Sequence, residues 1–195
     1  MKSKSNTMIL AESSIMIALS CALFAISKFI PWPAWIQGGS VTVFAQVPII
    51  VLSYRRGLKA GIPAALVLGV FKLILGLGNF AYVKGFQAYL IVALFDYLIA
   101  YGVLGLGGLF RNVKINDKAK IILGTVVASA LRFSCHFISG VTVWRDYTQS
   151  IKASIIYSVT YNGGYMLPET IITVIGCAAL MIIIPSELNK FLKNN

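Results

Sequence analysis

Apolar residues fill six long blocks of the chain, each closed by a short polar or basic stretch. The blocks run from about Met8 to Ile30, Val41 to Tyr54, Ala60 to Leu77, Phe86 to Phe110, Ile121 to Val143 and Ala153 to Ile184. All but the second reach the roughly 17–25 residues that a helix needs to cross a bilayer. The second, about 14 residues and near 21 Å at 1.5 Å per residue, predicts a short or oblique helix with Pro48 inside it. The first block follows Lys2 and Lys4, as the core of a signal peptide would. Its length and the further blocks behind it predict a first membrane helix instead.

Breakers separate the blocks. Pro31, Pro33, Gly38 and Gly39 predict a loop after the first, and Arg55, Arg56 and Lys59 a basic turn after the second. Gly163, Gly164 and Pro168 mark possible breaks within the sixth. No internal repeat, low-complexity region or second domain is visible. The expected fold is an all-α integral membrane protein, a single domain over 1–195 with six transmembrane helices.

Composition agrees: 58% of residues are hydrophobic and 12% charged, where a soluble domain carries about a quarter charged. The net charge of +11 does not point to nucleic acid, because the basic residues sit at block ends. Six helices leave both termini on one side. That side collects Lys2, Lys4, Arg55, Arg56, Lys59, Arg111, Lys114, Lys118, Lys120, Lys190 and Lys193, and the other only Lys84, Arg145 and Lys152. The positive-inside rule places both termini in the cytoplasm. Cys21, Cys135 and Cys177 lie in apolar blocks without metal-ligand spacing and read as packing residues.

With that orientation, helical rise assigns depth. Asp96 stands about 22 Å above Arg111 and His136 about 24 Å above Lys120, one level in the outer half of the membrane. The sixth helix descends from outside, placing Tyr157 and Asn162 about 8 and 15 Å below Lys152. Trp144, Trp32, Trp35 and Tyr82 fall at outer loops, where an interfacial aromatic belt is the plain alternative. Tyr157 and Asn162 are about 140° apart on an ideal helix, so sharing a site needs a wide pocket or unwinding near Gly163. Arg132 and Glu169, also at mid-depth, are expected to pair.

Ionisable groups inside a membrane are costly and tend to mark function. Aromatic faces attract cations, and a carboxylate accepts charge-assisted bonds from a ring amine. The constellation therefore suits a flat, nitrogen-rich, positively charged ring. It suits a phosphate poorly, since no basic cluster is expected to line it. An enzyme using Asp96 and His136 as an acid–base pair is the alternative of another class. Against it stand the absence of a metal-ligand cluster, a nucleophile motif or a second carboxylate nearby. A purely structural membrane protein would leave the polar groups at one depth unexplained.

The segments GGSV, VPIIVLSYRRGLKAG, LFDYLIAYGVLGLGGLF, LRFSCHFISG and IYSVTYNGGYMLP resemble, in order and spacing, the thiamine-specific substrate-binding (S) components of energy-coupling factor transporters, the ThiT family. The likeness covers nearly the whole chain. It implies a multi-pass S component of a bacterial cell membrane that captures thiamine from outside, with no cofactor of its own. By the family pattern Asp96, Tyr157 and Asn162 would bind the pyrimidine and Trp144 would stack on it. His136 and a first-loop aromatic, taken as Trp35, would lie against the thiazolium, and Tyr97 and Tyr82 would complete the wall. An S component for another vitamin, such as riboflavin or biotin, is the alternative within transport.

Two departures from the family pattern stand out. Some members carry glutamate before the tyrosine of the DY pair, and some a second carboxylate soon after the loop tryptophan, where this chain reads WIQGGSVTV. The family also implies a transmembrane coupling protein and two cytoplasmic ATPases as partners, since this chain has no phosphate-binding G-x-x-x-x-G-K-[ST] loop. Ser14, Ala18 and Ala22 form a row of small residues on the first helix that permits close helix contact. The resemblance implies docking there; internal packing of the first helix is the alternative.

Overall fold

A computed structural model describes residues 2–30 and 39–183. Trp32, Trp35, the prolines of the first loop and the basic tail lie outside the described residues. Among the described residues six main helices follow in order: α1 (Lys2–Ser27), α2 (Val47–Arg56), α3 (Leu58–Leu75), α4 (Phe86–Gly108), α5 (Asp117–Thr142) and α6 (Ile151–Ile183), with a 3-10 turn at Leu77–Tyr82 between α3 and α4. Among the described residues there is no strand, and all of these helices but α2 are long and apolar enough to cross a membrane.

The second block departs most from its expected form. Val41 to Gln46 is not helical, and Phe44 turns the chain with a φ of 57°. Helix α2 starts at Val47 with Pro48 in its first turn, where the missing N–H costs no helical bond. Pro48 thus opens the helix and does not interrupt it. The expected basic turn is also shorter: α2 runs through Arg56 and α3 begins at Leu58, with Gly57 alone between them at a φ of 83°. A side chain there would be strained, so glycine permits the one-residue reversal.

Every residue of α2 from Val47 to Tyr54 is buried. The short helix forms the hub on which α1, α3, α4, α5 and α6 pack. Lipid is as apolar as leucine, so close packing and hydrogen bonds hold such helices together. Ser53 supplies one such tie: its hydroxyl donates to the Gly105 carbonyl and accepts from the Gly108 N–H at 3.0 Å. Backbone approach supplies another. A Cβ on Gly124 of α5 would stand 2.0 Å from the Gly107 carbonyl oxygen of α4, so only glycine fits that crossing. At the same end Glu12 of α1 pairs with Arg55 at 3.0 Å and Arg56 at 2.6 Å. This is the basic end that the charge rule assigns to the cytoplasm.

Helix α6 is continuous, without a break at Gly163, Gly164 or Pro168. Its packing along α5 outweighs the weak helix propensities of those residues. Helix α4 is the irregular one. It passes through a π-helical stretch at Val92–Leu98 and ends in 3-10 turns at Val103–Gly108. The π stretch holds Asp96 and Tyr97, and such bulges recur at functional sites.

Candidate binding site

A cavity of about 1110 Å³ opens at the end opposite Glu12, Arg55 and Arg56. Its wall is made by the C-terminal ends of α1 and α3, the π stretch of α4, the C-terminal half of α5 and the N-terminal half of α6. Tyr82, Asp96, Tyr97, His136, Trp144, Tyr157 and Asn162 all line it. Trp35, the remaining expected site residue, lies outside the described residues.

Asp96 is the centre of the polar wall. Its Oδ2 accepts from the Trp144 indole N–H at 2.7 Å and from the Ser139 hydroxyl at 2.7 Å. Its Oδ1 lies 3.1 Å from Nδ1 of His136. A carboxylate offers about four acceptor positions. Three are taken, leaving one on Oδ1 for a donor in the cavity. Among the described residues Nε2 of His136 has no partner.

Local structure explains this convergence. Arg132, His136 and Ser139 recur at i, i+4 and i+7 on one face of α5, and Ser139 is fully buried. Trp144 follows in the α5–α6 loop, which its own bonds hold in shape. Tyr147 donates to the Thr142 carbonyl at 2.6 Å and Arg145 covers the Tyr147 ring at 4.2 Å. Asp146 accepts from the hydroxyl and the N–H of Thr148, and these bonds hold its carboxyl below the usual carboxylate range.

The aromatic wall has two parts. Tyr157, Tyr161 and Tyr165 recur every four residues on α6, the first two stacked at 5.7 Å and the last two edge to face at 5.7 Å. Tyr165 also meets His136 edge to face. On the other side the Tyr97 hydroxyl accepts from Asn79 at 3.0 Å and Phe80 stacks on its ring. A Cβ on Gly76 would fall 2.1 Å from that hydroxyl oxygen, so glycine makes the seat for Tyr97. Tyr82 is 81% exposed and stands at the rim.

Tyr157 and Asn162 share the cavity because it is wide; no unwinding near Gly163 is involved. Asn162 is already bonded within the protein. Its Nδ2 donates to the Ser158 carbonyl at 2.9 Å and its Oδ1 accepts from Tyr165 at 2.9 Å. Arg132 and Glu169 form the expected pair, both nearly fully buried. Glu169 also accepts from the hydroxyl and N–H of Thr42, and Arg132 donates to Tyr101 at 3.2 Å. This network ties α4, α5 and α6 to the chain entering α2, directly under the cavity.

One expectation is overturned. Lys28, Lys72 and Arg132 all line the cavity, so its wall does carry basic groups. They come from three different helices, Lys28 just past the end of α1, Lys72 in the last turn of α3 and Arg132 within α5, and spacing along the chain does not bring them together. Sequence reasoning also passed over Ser139, Ser158 and Tyr101. A signal for the serines exists: Ser158, Asn162, Tyr165, Glu169 and Thr173 form a buried polar stripe at helical spacing on α6, facing the stripe on α5.

Ser14, Ala18 and Ala22 are all exposed, while Ser20, Phe24 and Ser27 turn inward. The small-residue row therefore does not serve internal packing of α1.

The sequence matches the family described as thiamine transporter protein over residues 10–191. It is 31% identical over 191 residues to the thiamine transporter ThiT of Bacillus subtilis (strain 168), covering 93% of this chain and 94% of that protein. It is 28% identical over 195 residues to the thiamine transporter ThiT of Lacticaseibacillus paracasei, covering 95% and 92%. The fold is similar to a solved structure of ThiT from Listeria monocytogenes, with a TM-score of 0.69 at 22% identity over 95% of this chain and 98% of that chain.

Proposed function

The chain belongs to the thiamine transporter protein family, and from that premise we propose that it is the subunit that captures thiamine at the outer face of the membrane. The observation that carries the proposal is Asp96, whose carboxylate is held by Trp144, Ser139 and His136 with one acceptor position facing an aromatic cavity. The aminopyrimidine of thiamine supplies an N–H donor for that position. The tyrosines of α6 and the Trp144 ring supply faces for the pyrimidine and for the cationic thiazolium, an attraction of up to about 2 kcal/mol when desolvated. Asn162 acts through the wall it stiffens, and Tyr97 and Tyr82 close the remaining sides. No cofactor is needed.

Transport then requires partners. The exposed row Ser14, Ala18 and Ala22 supports docking of α1 on a transmembrane coupling protein, itself driven by two ATPase subunits of an energy-coupling factor module. The single six-helix domain holds the ligand while ATP hydrolysis elsewhere moves it inward. Close helix approach over small residues is the contact that such docking uses.

Tryptophan fluorescence of the purified protein, stripped of bound ligand and titrated with thiamine, riboflavin and biotin, tests the binding step. Saturable quenching by thiamine, strongly reduced in Trp144→Phe, is the expected result. Quenching by riboflavin or biotin alone would move the chain to another vitamin. No response from folded protein would refute the capture role.

A further inference from the structure

Lys72 stands near the C-terminal end of α3, inside a segment apolar enough to span the membrane. Its ammonium lies 4.3 Å from the centre of the Phe24 ring and 5.5 Å from that of Tyr101. Such contacts position a cation without neutralising it. Lys28 lies one helical turn beyond Phe24, and both lysines line the cavity, at the ends of α1 and α3. Among the described residues neither lysine has a carboxylate within ion-pair distance, whereas Arg132 is matched by Glu169.

The charges facing the cavity do not balance. With Arg132 compensated, two lysines and one carboxylate, Asp96, line the cavity. A ligand bearing only a cationic ring increases that excess. A ligand that also carries a phosphate ester, about −1.5 to −2 at neutral pH, removes it. The space allows the larger ligand, since about 1110 Å³ exceeds the roughly 300–1,000 Å³ of small-molecule pockets. The geometry is favourable as well. Lys72 and Arg132 flank the same Tyr101 ring, at 5.5 and 4.8 Å from its centre. Arg132 is one turn of α5, about 5.4 Å, from His136 and hence from the Asp96 end.

We propose that Lys28 and Lys72 form a second subsite, for the phosphate of a phosphorylated form of the ligand whose ring end is held at Asp96. The inference rests on the thiamine reading given above. It assigns the two lysines a role in choosing between the free vitamin and its phosphate ester. Binding at this subsite is electrostatic and therefore weakens with salt.

Equilibrium titration of the full-length purified protein with thiamine and thiamine monophosphate, at low and high salt, tests the proposal. In Lys28→Gln/Lys72→Gln the ratio of monophosphate to thiamine affinity should fall at least tenfold. The salt dependence of monophosphate binding should flatten with it. Lys72→Arg, which keeps the charge, should hold the ratio near that of the unaltered protein and separates charge from packing. The exposed Lys28→Gln alone should lower the ratio in part, even if the double variant folds poorly. An unchanged ratio in Lys28→Gln and in the double variant would overturn the subsite and leave thiamine capture standing. Failure of the unaltered protein to bind either compound would overturn both.

Discussion

Replacing Asp96 by asparagine removes a charge while leaving the shape of the site nearly intact. Its consequences follow from the bonds around it. The Trp144 indole can only donate, so an amide at position 96 must turn its oxygen toward Trp144 and Ser139, where Oδ2 now accepts both bonds. Its NH₂ then takes the place of Oδ1, beside Nδ1 of His136, which can accept in its other tautomer. The internal bonds survive and the fold should persist. The fourth position reverses, however: an N–H now meets the ligand's N–H. A charge-assisted bond is lost and a donor is left facing another donor, a combined cost of about 2–4 kcal/mol. Thiamine affinity should fall about 30- to 1000-fold, measured by fluorescence titration with the thermal unfolding midpoint as the folding control. By contrast, Asp96→Leu leaves the buried Ser139 hydroxyl and the Trp144 indole N–H without their acceptor and should lower the unfolding midpoint as well. Full affinity in Asp96→Asn would refute the reasoning, because the free acceptor on Oδ1 would then have no role in binding.

Arg132→Ala leaves the Glu169 carboxylate buried against Thr42 without its counter-charge and should cost about 3–5 kcal/mol. Removing Glu169 as well should restore much of the unfolding midpoint, and no restoration would contradict the pairing. Gly76→Ala drives a methyl group into the Tyr97 hydroxyl, an overpacking cost of about 1–3 kcal/mol. Both stability and thiamine affinity should drop, and Tyr97→Phe in the same chain should recover part of the stability. Ala18→Trp, on the exposed face of α1, should abolish uptake by whole cells while the purified protein binds thiamine as before. Loss of binding too would argue against a docking face.

The paired α5 and α6 stripes show how much was legible beforehand. Helical rise alone put Asp96 and His136 at one depth, and they meet at 3.1 Å. Arg132 and Glu169 were likewise at one level, and they pair. An intramembrane charge has few acceptable positions, so depth along a helix nearly specifies its partner. Rotation about the helix axis was less legible. Ser139 meets an Asp96 that lies within the π stretch of α4 at Val92–Leu98, and nothing in the local sequence marks that irregularity.

The sequence by itself therefore determined the membrane class, the helical blocks, the basic end and the level of the polar groups. These follow from the period of one helix and from the low polarity of lipid, which act on each segment alone. Only the tertiary structure decided that the short α2 becomes a buried hub and that Pro48 starts that helix. It also decided that α6 runs unbroken past Pro168, and that Lys28 and Lys72 share a cavity with Asp96. Those outcomes depend on contacts between residues tens of positions apart, where packing between helices outweighs the preference of any single segment.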